Sequence, residues 1–169
     1  MRKLNWKLPA LFAAMSMVLG ACAIAPDEPA YYRSLEASDA MIDQQVAAQM
    51  ISGYREQHGL GPVRVDAKLT SLAEAKAKDL AVSGGSNVSG REGEALARRM
   101  SQIGEGDTYA VENTSAGYRR WAEAFSGWRD SPKHQAVMLD PDITRIGIAT
   151  AYAPSSKYKV FWSMIAASD

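Results

Sequence analysis

Two apolar runs near the C-terminus, Ile146 to Tyr152 and Tyr158 to Ala166, flank Ala153-Pro154-Ser155-Ser156-Lys157 and spell a β-hairpin. Most of what precedes them is patterned for helices, so the chain must set helices against a sheet. Met41, Ile42, Val46, Met50, Ile51 and Tyr54 keep the three-and-four spacing of one helix face, and Gly59 is placed to stop that helix. A second helix starts at Asp66 as N-cap, carries Leu69, Leu72, Ala73, Lys76 and Leu80 on one side, and ends before Gly84-Gly85. Lys76 reads as a stem packed on the apolar face with its ammonium at the edge. Ser89 to Glu92 form a capping box that opens a third helix through Leu96, Met100 and Ile103 to Gly104. Gly104 to Asp107 lacks the ligand spacing of a calcium loop and reads as a turn. A short strand is expected from Tyr109 to Glu112, then a fourth helix lined by Tyr118, Trp121, Phe125 and Trp128. Ser131 as N-cap and Pro132 at the first position open a short fifth helix. No repeat or low-complexity tract interrupts this order. The class is α+β, a small sheet covered by helices.

The N-terminus lies outside that plan. Arg2, Lys3 and Lys7 precede an apolar run from Leu8 to Gly20, too short for a permanent span, which reads as a secretory signal. The run ends in Leu19-Gly20-Ala21-Cys22, which resembles the lipobox of bacterial lipoproteins, where the cysteine is lipidated after cleavage before it. Cys22 is the only cysteine, so no disulfide can form within the chain. Each buried acyl methylene contributes about 0.8 kcal/mol, so several chains on Cys22 would hold firmly where one is marginal. The expected organisation is therefore a signal peptide over 1–21, a lipidated cysteine and tether with Pro26 and Pro29 over 22–37, and one domain over 38–169.

Cleavage removes three of nineteen basic side chains and none of the nineteen acidic ones, leaving a mildly acidic protein. That balance excludes a nucleic-acid footprint, and Arg98-Arg99 and Arg119-Arg120 read as solvated helix faces. The expected partner is a membrane, reached through Cys22. Ala23 supplies no acidic retention signal of the kind known in enteric bacteria, which by analogy points to the periplasmic face of the outer membrane.

From about Met50 to Ala166 the chain resembles the CAP superfamily of cysteine-rich secretory, antigen 5 and pathogenesis-related proteins in its short bacterial form. The segment from Met50 to Ala81 is similar to the family's first two helices and their Gly-Leu-x-Pro connection. Val111 to Tyr118 resembles its Glu-Asn segment, and Gly127 to Tyr152 its Trp-x-x-Ser-Pro-x-His stretch running into a Gly-bearing strand. The resemblance implies an α-β-α sandwich with a mainly antiparallel sheet and a cleft over it. It also implies a cleft lined by His134, Glu112, Asn113, Asn87, Asp130 and Ser131. His134 matches the family's second histidine and Glu112 its first carboxylate. Asn87 stands where the first histidine belongs, and Asp130-Ser131 near the second glutamate. Two of four ligands do not make a tight zinc site, so no metal or other cofactor is expected.

His134 is thus open to three roles. It can hydrogen-bond Glu112 or a backbone carbonyl, contact a ligand, or act as base with Glu112 orienting it in a hydrolase or peptidase. Its place in the first turn of a helix opposes protonation, while a nearby carboxylate favours it. No nucleophile-elbow pattern surrounds Ser86, Ser89 or Ser131. The other histidine, His58, belongs at the C-terminal end of the first helix, where it suits the dipole. The depleted metal set favours a lipid-anchored, non-catalytic binding module for a small apolar or amphipathic ligand or an envelope component. The alternatives are a hydrolase built on His134 and Glu112 and an envelope structural partner with a vestigial cleft.

Overall fold

The computed structural model describes residues 27–85 and 92–169, with side chains from Ala95 onward in the second stretch. Cys22, Asn87 and the side chains of the Ser89–Glu92 box lie outside the described residues. Helix α1 spans Gln44–Glu56, with the Asp43 carboxylate accepting from the amides of Gln45 and Val46 at 3.0 Å. The helix therefore starts later than the apolar spacing suggests. Met41 is 84% exposed, while Ile42 is buried ahead of the first turn. Strand β1 is the pair Arg64–Val65, and α2 follows over Ala67–Val82. Asp66 caps α2 as expected, accepting from Lys68 and Leu69, and Gly84 and Gly85 leave it at positive φ.

Helix α3 spans Glu92–Gln102, and β2 spans Ala110–Ala116, four residues beyond the expected strand. Helix α4 is Trp121–Arg129, so Tyr118 precedes it. The Tyr118 ring instead lies across Gly127, where a β-carbon would stand 2.0 Å from its hydroxyl. Helix α5 is Pro132–Met138; Ser131 holds the N-cap position, but its hydroxyl makes no capping bond. Strands β3, Arg145–Ala153, and β4, Lys159–Ala167, form the expected hairpin.

The sheet order is β1-β3-β4-β2, with β1 parallel to β3 and the other pairs antiparallel. Even-numbered β4 residues, Val160, Trp162, Met164 and Ala166, join α1, α4 and α5 in one core. Odd-numbered Ile165 and Ala167 face α2 and α3 in a second core with Leu69, Leu72, Leu96 and Met100. Period-two alternation thus builds a three-layer α-β-α sandwich from one strand. Gly147 permits the close fit of α2, because a β-carbon there would meet the backbone of Leu69 and Thr70 at 2.1 Å.

Part of the stretch expected to be tether is seated on the domain. A short 3-10 helix, Ala30–Tyr32, packs against α4 and α1, Leu35 is buried, and its amide donates to the carbonyl of Arg119 at 2.8 Å. The folded unit therefore begins ahead of Ser38, because Leu35 has an apolar socket that composition does not reveal.

Two buried arginines tie the layers together. Arg55, 1% exposed, donates to the carbonyls of Gly61 (2.7 Å), Met138 (2.9 Å), Asp140 (2.7 Å) and Ile143 (3.1 Å). Burial pushes its pKa below the usual arginine range and the Asp140 charge opposes that shift. On the far edge, Arg145 donates to Glu105 (2.8 Å), Asp66 (3.1 Å) and the Ser168 carbonyl (2.7 Å). The hydrogen bond from Arg145 holds Glu105 below the usual carboxylate range. At Asp66 desolvation pushes upward, but the amide of Leu69 and the Arg145 guanidinium outweigh it and the net shift is downward.

Two outcomes follow. Gly147→Ala should cost about 3 kcal/mol or more in urea denaturation, because the clash is with backbone and no side chain can swing away; a loss under about 0.5 kcal/mol would mean that α2 is not seated on β3. Carboxylates with depressed folded pKa stabilise above their unfolded values, about 4, and that stabilisation fades as pH falls through the folded values. Thermal melts below about pH 5 should therefore drop less steeply in Asp66→Asn/Glu105→Gln, which keeps the helix cap, than in the parent.

Candidate functional site: the His134 face

The site grows from the turn between α4 and α5. Asp130 ends α4 and pairs with Arg129 at 3.1 Å on the surface, and Ser131-Pro132 starts α5 and puts His134 in its first turn. Across from His134 lies β2. Asn113, 1% exposed, donates from Nδ2 to the His134 carbonyl at 2.9 Å, and its Oδ1 lies 3.1 Å from His134 Nδ1. The first bond sets the direction of the amide, so Oδ1 is the acceptor and Nδ1 carries the ring proton. In the neutral ring the lone pair then belongs to Nε2. Two residues along the same face, Ser115 accepts from Trp128 Nε1 at 3.0 Å, and the Trp128 ring lies 6.2 Å from that of His134. His134, half-buried, is thus fixed by an amide and an indole.

Glu112 does not share this face. Consecutive strand residues point to opposite sides, and the register confirms the sides: Asn113 pairs with Met164 of the first core, Glu112 with Ile165 of the second. On that second face both Glu112 oxygens accept from Arg99 Nη2 of α3 at 2.8 Å, with the two side chains 5% and 16% exposed. The expected unit of Glu112 and His134 is therefore replaced by two separate pairs. Arg99, expected on a solvated helix face, is half-buried against β2 instead. The alternation of β2 could have separated Glu112 from Asn113 had the strand been read through Ala116, but no spacing in α3 marks Arg99 as the neighbour of Glu112.

Of the six cleft residues, the structure joins His134 and Asn113, leaves Ser131 at the start of the same helix, and sets Glu112 on the other side of the sheet. Asp130 lies at the surface with Arg129, and Asn87 falls outside the described residues. Among the described residues no group of three or more His, Cys, Asp or Glu side chains could hold a metal ion. His58 Nδ1 donates to the Tyr54 carbonyl, 2.9 Å away, at the end of α1. A cavity of about 740 Å³ lies elsewhere, between α1 and β1, lined by residues including Gln49, Ser52, Leu60 and Val63. No described helix is long and apolar enough to cross a membrane.

Neutralising Glu112 tests the second pair. Glu112→Gln should destabilise the fold by about 3 kcal/mol by leaving Arg99 without its counter-charge, and adding Arg99→Met should recover most of the loss. The His134 ring resonances should stay in place in both variants, whereas a shift in them would mean that Glu112 and His134 do communicate.

Comparison with known proteins agrees with this architecture. Residues 48–165 match the family model for CAP, the cysteine-rich secretory protein family. Three similar structures are a cysteine-rich secretory protein of Staphylococcus aureus (15% identity, TM-score 0.56), an extracellular SCP-domain protein of Bacillus anthracis (19%, 0.59) and an outer surface protein of Borrelia burgdorferi (18%, 0.57). The matches cover 75%, 75% and 76% of this chain and 38%, 40% and 97% of the respective structures, so the chain spans about two fifths of the first two. A search of curated proteins found no match. The family match covers most of the chain and the sandwich bears it out: the protein belongs to the CAP family.

Proposed function

We propose that this is an exported CAP-domain protein, held in a bacterial envelope through lipidated Cys22, that binds a small apolar or amphipathic ligand or an envelope component without catalysing a reaction. The observation that carries the non-catalytic reading is the division of the expected dyad. A general base needs a group that orients it and stabilises the imidazolium, and a carboxylate does both. At His134 Nδ1 the place expected for Glu112 is taken by the neutral amide of Asn113, which orients the ring. Glu112 is committed to Arg99 on the other face. The export reading rests on the segment from Arg2 to Cys22, and is supported by neighbours described as secretory, extracellular or outer surface proteins. The cavity between α1 and β1 has the size of a small-molecule site, which supports a ligand larger than an ion.

Expression of the full-length chain and of Cys22→Ser in a bacterial host tests anchoring and binding together. The parent should fractionate with membranes after high-salt and carbonate washing, and Cys22→Ser should be released. Mass spectrometry of organic extracts should find the same small molecule in both, since the anchor and the domain are separate. Cys22→Ser retained on washed membranes would overturn the anchor. Hydrolysis of ester or peptide substrates that is abolished by His134→Ala would overturn the non-catalytic reading.

A further inference from the structure

The outer edge of β3 offers unpaired backbone groups beside a groove. Strand β1 pairs with β3 only at Arg145 and Ile146. One outward position further, the Gln44 side-chain amide takes over: its Nε2 donates to the Ile148 carbonyl and its Oε1 accepts from the Ile148 amide at 3.3 Å. These are the two bonds that the N–H and C=O of a facing residue in an adjoining antiparallel strand would make. Alternation by two then turns the N–H and C=O of Thr150 and Tyr152 outward as well. The register agrees, because the carbonyl of Val160, opposite Tyr152, is turned to Gly117 and away from β3. Among the described residues nothing bonds to these four outward groups.

The groove has two unlike walls. A cavity of about 360 Å³ is lined on the α2 side by Thr70, Glu74 and Lys78, and on the other side by Ala40, Met41 and Ile42, with Ala149 and Thr150 at its base. Ile42 belongs to the core on the α1 face and Leu69 to the core on the α2 face, so the walls lie on opposite sides of the sheet plane. A strand added there would present successive side chains alternately to a polar, charged wall and to an apolar one. Met41, 84% exposed, is then the apolar contact left over when the groove stands open. We infer that the edge of β3 at Thr150 and Tyr152 takes an extended peptide of alternating apolar and polar residues as a further strand, continuing the pairing that Gln44 begins. The site is separate from the His134 face and does not rest on the ligand proposed above; either can fail without the other.

Hydrogen exchange resolved to single amides tests this on the full-length chain. The probes are short capped peptides alternating valine with serine, with lysine or with glutamate, each at millimolar concentration. In the protein alone the Thr150 and Tyr152 amides should exchange freely. At least one probe should slow both by about tenfold or more, and its counterpart with the backbone N-methylated at alternate residues should not. Thr150→Pro removes one outward donor at a position that an edge strand tolerates, and should melt like the parent while losing the effect. If that variant fails to fold, the N-methylated probe still decides. Slowing by none of the probes, or equal slowing by the N-methylated one, would overturn the inference. So would protection that rises with protein concentration in the absence of peptide, since the edge would then serve a second copy of the chain.

Discussion

A single buried cation holds the sandwich to the helix that carries His134. Arg55 leaves the last turn of α1 and reaches carbonyls in the loop to β1, at the end of α5 and on the approach to β3. Each of those segments ends with a carbonyl that no helix or strand partner would satisfy. A guanidinium supplies donors in a planar fork, and bonds from a charged donor contribute about 1.5 to 3 kcal/mol each. Four of them offset a desolvation cost large enough to lower the arginine's own pKa. A lysine could not replace it, because its three donors diverge from one point. The clamp fixes where α5 ends; the Asn113 bond to the His134 carbonyl fixes where it begins.

Held at both ends, α5 presents its histidine to a strand whose alternation then decides the chemistry. Asn113 and Ser115 project toward α4 and α5, and Glu112 toward α3. The same parity that lets β4 feed two cores splits neighbouring residues of β2 between two faces. The result on the α5 side is a histidine set among an amide, a hydroxyl and an indole, with Glu112 turned away from it. The result on the other side is a nearly enclosed ion pair, which stabilises only while both members are present.

The sequence was legible where local chemistry decided the outcome. Asp66 as a cap, the glycines that end α1, α2 and α3, Pro132 at the start of α5, and the hairpin around Pro154 all act within a few residues of themselves. It was misleading where a partner lay far along the chain. Met41 keeps the helical spacing of α1, yet Asp43 captures the first amides and leaves it outside. Tyr118 fits the stripe of α4 but folds back over Gly127. Arg55 and Arg99 carry no local mark of their pairing, since three of the four Arg55 acceptors lie over eighty residues away and the Arg99 acceptor lies thirteen residues away. The pairing of His134 with Asn113 required the extent of β2, and Asn113 looked no more special than Glu112 beside it.

The most direct test of this account is a pair of double-mutant cycles on folding stability, one between His134 and Asn113 and one between His134 and Glu112, using alanine at each position. The His134 carbonyl survives its substitution, so the first cycle isolates the bond to the ring. It should give a coupling of about 1 kcal/mol, and the second should be additive within about 0.5 kcal/mol. Coupling between His134 and Glu112, with none between His134 and Asn113, would contradict the account and restore a histidine–carboxylate dyad.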